Sequence, residues 1–232
     1  MQEVLRRGFD QWGLDQKANP PQTEYARRLL EKNQVMNLTA ITDPKDVATL
    51  HLLDSAAVLH HFPLKGKRVV DVGTGAGFPG MVLRILEPDF DLTLLDSLGK
   101  RIDWLDGVCT DMGLTRVNCV HARAEEFAAG NRESFDAAVS RAVARLDVLC
   151  ELALPLVKVG GAFLAMKSTD TDEEIDQARG AIGQLGGKIT RSVDYLIPET
   201  EITHRIVVIE KVRPTPPQFP RPFAKIKKSP LK

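Results

Sequence analysis

The densest chemical signal in this 232-residue chain is Val69-Val70-Asp71-Val72-Gly73-Thr74-Gly75-Ala76-Gly77-Phe78-Pro79-Gly80. Glycines at 73, 75 and 77 directly after a predicted strand let the backbone turn tightly and bring its N–H groups against a ligand at the following helix N-terminus. Alone, a G-x-G-x-x-G pattern is weak, and Gly75, Gly77 and Gly80 also fit it. Asp71, two residues before the first glycine, narrows the choice. A buried carboxylate there repels the pyrophosphate of a dinucleotide, but it can accept hydrogen bonds from, or sit near, the ammonium end of S-adenosylmethionine. An NAD-dependent dehydrogenase is disfavoured on that ground. Asp96, closing Leu94-Leu95-Asp96, is positioned to accept ribose hydroxyls, which both cofactors carry. Arg123-Ala124-Glu125-Glu126 then brings a backbone amide and a carboxylate to an adenine edge.

Several reactions can be set aside. Methylation of an exocyclic amine calls for an Asp/Asn-Pro-Pro-aromatic clamp after the fourth strand, where this chain reads Ser140-Arg141-Ala142-Val143. Attack at pyrimidine C5 needs a nucleophilic cysteine. Cys109, Cys119 and Cys150 fall within predicted helix or strand and read as structural. They show no C-x-x-C spacing, and the five histidines have no metal spacing, so neither disulfide nor metal is expected. A ring nitrogen such as guanine N7 fits what remains, because it has a lone pair and no proton to remove, so positioning supplies much of the catalysis.

These residues sit on a legible series of elements. Residues 1–64 read as a helical extension, with Pro20-Pro21 at one helix entrance and Asp43-Pro44 as cap and first residue of another. Residues 65–212 alternate strands and helices: strands at 68–72, 92–95, 117–121, 135–140 and 162–167, with helices at 79–86, 100–112, 146–157 and 172–185. Two further strands, 188–195 and 202–212, are joined by a short turn and should pair antiparallel. The expected fold is α/β and Rossmann-like: a seven-stranded, mostly parallel sheet with an antiparallel last strand, as in class I methyltransferases.

Composition sets the surroundings. The chain has 31 basic and 31 acidic residues, but residues 1–210 carry a net −7 and Lys211–Lys232 carry +7 with six of the 14 prolines. A basic tail on an acidic body points to a nucleic-acid or membrane partner, with a solvated terminus as the alternative. The proline content predicts that the tail is neither helix nor central strand. No run is long and apolar enough to span a membrane, and Glu3, Arg6 and Arg7 fall where a signal peptide needs its apolar core. A reduced, cytoplasmic monomer is expected.

The combination of Asn37-Leu38-Thr39, Asp43-Pro44, His51-Leu52-Leu53-Asp54-Ser55, the glycine turn, Leu94-Leu95-Asp96-Ser97-Leu98-Gly99-Lys100-Arg101 and Ser140-Arg141-Ala142 closely resembles the RsmG (GidB) methyltransferases of bacteria, from about residue 20 to 210. The resemblance implies methyl transfer from S-adenosylmethionine to guanine N7 at position 527, in the 530 loop of 16S rRNA, as free RNA or within a 30S particle. Matching family positions assign Gly73, Phe78, Ala124, Glu125 and Arg141 to the cofactor, beside Gly75, Gly77, Asp71 and Asp96 from the physical reading. Ala76 stands where family members often have proline or serine, and Phe78 where leucine is common; Phe78 adds a flat apolar wall.

No catalytic residue is assigned outright; Arg141, His51 and Asp54 are the positioning candidates. Lys100, Arg101 and Arg145 at strand-end loops, and Arg221, Lys225, Lys227 and Lys228 in the 213–232 tail, are the candidates for RNA contact. On this reading, deletion of 214–232 weakens RNA binding and spares the cofactor. A small-molecule methyltransferase and a noncatalytic RNA-binding assembly factor are the alternatives.

Overall fold

The computed structural model describes residues 1–141 and 143–232. Ten helices are described: α1 (Gln2–Trp12), α2 (Asn19–Met36), α3 (Pro44–Asp46), α4 (Asp54–His61), α5 (Gly80–Leu86), α6 (Gly99–Asp111), α7 (Ala124–Asn131), α8 (Leu146–Ala153), α9 (Asp172–Gln184) and α10 (Phe223–Lys228). The strands are β1 (Arg68–Val72), β2 (Asp91–Asp96), β3 (Val117–His121), β4 (Phe135–Arg141), β5 (Val157–Ser168), β6 (Gly187–Leu196) and β7 (Thr203–Lys211).

They form one sheet of order β3-β2-β1-β4-β5-β7-β6, in which β7 alone runs opposite to the other six strands. Strand order reverses between β1 and β4, and ligands of such sheets bind at the carboxyl ends of the strands on either side of that reversal. Alternation along each strand divides the core. Val69, Leu92, Leu94 and Val139 pack toward the N-terminal helices, α5 and α6; Val70, Val72, Leu95 and Ala138 pack toward α8, α9 and α10.

The N-terminal extension is built as its caps predict. Asp43 caps α3 through its carboxylate, which accepts the Lys45 and Asp46 N–H groups at 2.8 and 3.1 Å. The rod then widens into a π-helical stretch, Val47–Leu53, before α4. Such wide turns sit preferentially at functional sites, and this one carries His51.

Three expectations are corrected. The helix expected over 146–157 stops at Ala153, because Pro155 breaks it through a short 3₁₀ turn; β5 then begins at Val157, before the Gly160-Gly161 pair rather than after it. Helix α7 was not anticipated: of its residues only Ala128 is buried, so it shows no apolar stripe. The tail does contain a helix. Its prolines cluster over 214–222, and the proline-free segment behind Pro222 forms α10, with Ile226 fully buried.

No helix among the described residues is long and apolar enough to cross a membrane.

Candidate active site

The glycine turn leaves β1 at the strand-order reversal. Gly73, Gly75 and Gly77 all take positive φ. Gly77 is the most constrained, since at φ +87° a Cβ would also run into the Tyr25 hydroxyl and into Met81 Cγ at 2.6 Å. That hydroxyl, fully buried on α2, donates to the Ala76 carbonyl, so the N-terminal extension braces the turn directly.

Asp71 lies beneath the turn and lines neither cavity beside it. Its Oδ2 accepts the Thr74 hydroxyl at 2.6 Å and the Gly80 N–H at 2.8 Å, tying both ends of the loop to β1. Asp71 thus braces the loop through Oδ2, while its Oδ1 is buried with no hydrogen-bond partner among the described residues. Burial pushes its carboxyl up to about 6, against those two hydrogen bonds and the positive charge of Arg141.

Asp96 does face the site. Its Oδ2 accepts the Gly75 N–H at 2.8 Å and its Oδ1 the Leu98 N–H at 2.9 Å, leaving each oxygen one further acceptor position. It lies between two neighbouring cavities. The first, about 390 Å³, is lined by Gly73, Gly75, Phe78, Asp96, Arg101 and Arg141 among others. The second, about 250 Å³, adds Ala124 and Glu125 from the first turn of α7 and shares Gly73, Asp96, Ser97 and Val143 with the first. Leu152 of α8 and Phe223 of α10 close it, and the Arg123 guanidinium lies 5.3 Å over the Phe223 ring.

The positioning candidates converge at the end of β4. Arg141 Nη1 donates to Asp54 Oδ2 and to the Leu50 carbonyl, both at 2.9 Å, and Nη2 reaches His51 Nδ1 at 3.0 Å. Because arginine only donates, His51 Nδ1 accepts and Nε2–H points to the Thr39 hydroxyl at 2.7 Å. Burial and the nearby Arg141 charge lower the His51 ring to about 4, so it is neutral at pH 7. Phe78 covers the pair: its ring stacks on His51 at 4.5 Å and lies under the Arg141 guanidinium at 4.9 Å.

Asp54 is the anchor of this partition. Besides Arg141 it accepts the Tyr195 hydroxyl at 2.7 Å and His204 Nδ1 at 2.8 Å. Burial alone would raise its carboxyl, but the His204 hydrogen bond, the Arg141 charge and the Tyr195 hydroxyl outweigh that and hold it below the usual value. Tyr195 and His204 on β6 and β7 give no sequence pattern, and the reading missed them.

On the other side of the partition lies a third cavity of about 550 Å³, also lined by His51 and Arg141. Its remaining walls include Leu50, Asp54, Met166, Lys167, Glu174 and His204. The basic residue closing the apolar run 162–167 was the one available sign of it in the sequence.

The RNA-contact candidates do not form one group. Arg101 lines the first cavity, 3.6 Å from Asp96, and Lys100 is exposed beside it. Arg145 is held by Gln177 at 2.6 Å and Asp147 at 3.4 Å. Arg221 is spent inside the protein, on the fully buried Glu151, through Nε at 2.8 Å and Nη2 at 2.6 Å. Lys225, Lys227 and Lys228 are exposed on α10. Ala142 of the Ser140-Arg141-Ala142 motif lies outside the described residues.

A family model described as GidB, rRNA small subunit methyltransferase G, matches residues 19–201. The chain belongs to this family. Relatives carry the same description: the ribosomal RNA small subunit methyltransferase G of Alkaliphilus oremlandii is 48% identical over 239 residues, covering 100% of this chain and 99% of the relative. That of Lactobacillus johnsonii is 40% identical over 234 residues, covering 99% and 97%. Among solved structures, M. jannaschii TYW2 in complex with AdoMet superposes with a TM-score of 0.54 at 13% identity, covering 65% of this chain and 72% of that one. Thermus thermophilus TrmN gives 0.53 at 20%, covering 68% and 48%. These identities establish the fold; the family rests on the sequence relatives.

Proposed function

We propose that this member of the GidB family transfers a methyl group from S-adenosylmethionine to N7 of a guanine in small-subunit rRNA, the guanine at position 527 of the 530 loop being the one the family resemblance implies. The observation that carries the reading is the pair of sites on opposite sides of one partition, with His51 and Arg141 lining both. One side suits the cofactor. Asp96 retains an acceptor position on each oxygen for ribose hydroxyls, Ala124, Glu125 and Phe223 bound the adenine end, and the positive-φ glycines let backbone approach the amino-acid end.

When bound, S-adenosylmethionine supplies an electrophilic methyl on a sulfonium that leaves as a neutral thioether. The protein's part is then positional. Guanine N7 attacks with its own lone pair, so no base need remove a proton, and the neutral His51 ring is consistent with that. Arg141, fixed by Asp54, Leu50 and His51, holds the partition at which the two reactants meet. The alkylated ring is a cation, which Asp54 and the acidic body tolerate. Exposed Lys100, Lys225, Lys227 and Lys228 supply salt-dependent phosphate contacts.

Labelled S-adenosylmethionine incubated with naked 16S rRNA and with 30S particles, followed by nucleoside mapping, tests this. Label at N7 of the 530-loop guanine is expected. Label elsewhere, or none with either substrate, overturns it; failure to bind the cofactor at all would favour a noncatalytic assembly factor.

A further inference from the structure

The 550 Å³ cavity beyond Arg141 contains an ion pair that the methyl-transfer chemistry does not use. Lys167, the penultimate residue of β5, donates to Glu174 Oε1 at 2.6 Å and to the Ala144 carbonyl at 2.7 Å. The pair is largely shielded, with side chains 10% and 19% exposed. Glu174 Oε1 also accepts the Leu146 N–H, whereas Oε2 has no hydrogen bond among the described residues. An ammonium has three N–H groups, so Lys167 keeps one in reserve.

We infer that Glu174 and Lys167 are the specificity residues for the acceptor base: the free Glu174 Oε2 accepts the guanine N1–H and N2–H, and the third Lys167 N–H donates to O6. This rests on the methyl-transfer reading above and says which groups choose the base.

Guanine is the common base whose Watson–Crick edge places two adjacent donors beside an acceptor. A carboxylate beside an ammonium is complementary to that row. Adenine offers an acceptor at N1 where guanine has a donor, and an amine where guanine has O6. Cytosine presents two acceptors and uracil a single donor between acceptors. Each would set like against like at one partner or leave a buried charge without its hydrogen bond, and that is the costly error in a shielded site. Guanine would enter a pair that is already neutralised, so no isolated charge has to be created to receive it.

The order of residues around the cavity agrees with the reaction. Arg141 of β4 is in register with Met166 of β5, Lys167 is the next residue along that strand, and Glu174 follows on the first turn of α9. On the purine ring N7 neighbours O6, and O6 neighbours N1. With O6 at Lys167 and N1 and N2 at Glu174, N7 is therefore turned toward Arg141 and His51, the side from which the methyl must come. Leu50, Met166 and Ile202 offer apolar surface to the flat base.

The alternative role is a latch that holds α9 to the loop at Ala144–Leu146. A latch changes stability but treats all acceptors alike, so the test reads discrimination. The 16S rRNA 530-loop segment is prepared with guanine, inosine, which lacks the N2 amine, or 2-aminopurine, which lacks O6 and the N1 proton, at the target position. Methyl transfer to N7 is then measured as kcat/KM after reconstitution into 30S particles. For the unaltered protein, inosine is expected to react about 10–100-fold more slowly than guanine, and 2-aminopurine more slowly still, the range for hydrogen bonds to charged partners. Glu174→Gln should slow guanine and bring the guanine-to-inosine ratio close to one; Lys167→Met should reduce the penalty on 2-aminopurine while leaving the inosine penalty in place. An unchanged guanine-to-inosine ratio in Glu174→Gln, with an unchanged melting temperature, overturns the assignment. Should the variants not fold, equal rates for guanine and inosine in the unaltered protein overturn it as well. No transfer to guanine N7 by the unaltered protein defeats the functional reading instead, so the two failures are distinct.

Discussion

The cavities above the glycine turn are walled largely by segments that follow consecutive strands: the turn after β1, Asp96 closing β2, and Ala124 and Glu125 after β3. The cavity beyond Arg141 draws its side chains from β4, β5, α9, β7 and the wide helical stretch before α4. The first kind of site follows from strand-turn-helix geometry, with the loop's own N–H groups and carboxylates in place wherever such a loop forms. The second exists only when distant elements are packed, and its charges are already paired with each other. On the function proposed above, the contrast separates a general device for holding an adenosine cofactor from a pocket whose side chains are particular to the acceptor, the two joined through one arginine.

Arg141 is where the comparison is most easily broken, since it belongs to both sides. Arg141→Ala takes the arginine from the buried Asp54, leaving it Tyr195 and His204, and removing one member of a buried pair costs about 3–5 kcal/mol. Urea denaturation should show that loss. Arg141→Lys keeps the charge but not the planar fork that reaches Asp54, Leu50 and His51 together, and it should leave the protein folded with single-turnover methyl transfer down about 100-fold. Transfer at an unaltered rate in Arg141→Lys would mean that the two cavities do not communicate through this residue.

The C-terminal segment sharpens the contrast from the cofactor side. Arg132 fastens it by donating to the carbonyls of Thr215, Pro216 at 2.8 Å and Phe219 at 2.6 Å, and Arg221 neutralises the buried Glu151. Removing residues 214–232 should therefore strip a buried carboxylate of its partner and, on the proposed function, open the adenine end of the cofactor site, an expected outcome opposite to the sparing of the cofactor read from sequence. The gentler variant Phe223→Ala should raise the Kd of S-adenosylhomocysteine about 5–10-fold, the value of one aromatic contact, while RNA affinity at matched salt stays the same. Calorimetry giving an unchanged Kd would take Phe223 off the cofactor side and leave the segment only the phosphate contacts of its exposed lysines.

A smaller effect is expected from Tyr25→Phe. It removes the hydroxyl that links α2 to the Ala76 carbonyl, costing about 1–1.5 kcal/mol, with a few-fold weaker cofactor binding. Discrimination between guanine and inosine should not move, because that property belongs to the other cavity. A shift in that ratio would show that the turn and the acceptor pocket are coupled.

Much of the fold was legible because its signals are local. The Asp43-Pro44 cap, the glycines and the strand alternation each act within a few residues, and β1 and β3 run over the residues read for them. The spacing of Asp71 from the glycines fixes its place under the turn, while the direction of its carboxylate depends on Thr74 and Gly80 folding back over it. His51, Asp54 and Arg141 were individually visible, yet their meeting depends on Tyr195 and His204, more than 140 residues from Asp54 and without any periodic mark. Helix α10 and the Arg221–Glu151 pair were hidden for a different reason. Composition averages over the tail, and the average conceals a seven-residue stretch free of proline, 223–229.

The subtlest test concerns protonation at the partition. His51 is held at about 4 against an ordinary 6.5, so between those values the folded chain binds fewer protons than the unfolded one. The stability that His51 contributes is complete above pH 6.5 and is lost as pH falls toward 4. Asp71 has the opposite sign: raised from 3.8 to about 6, its contribution is complete below 3.8 and is lost as pH rises through 6. In the unaltered protein the two trends offset each other over much of the same window, so its melting temperature conceals both. Single variants separate them. The melting temperature of His51→Asn, taken relative to the unaltered protein, should improve by about a few degrees between pH 7 and pH 4.5, because only in the unaltered protein does unfolding free an imidazole that takes up a proton in that window. For Asp71→Asn the same difference should move the other way. A His51→Asn difference that is equal at both pH values would mean that the ring is not held neutral by Arg141 and burial, and the arginine would then need another acceptor to keep the two cavities apart.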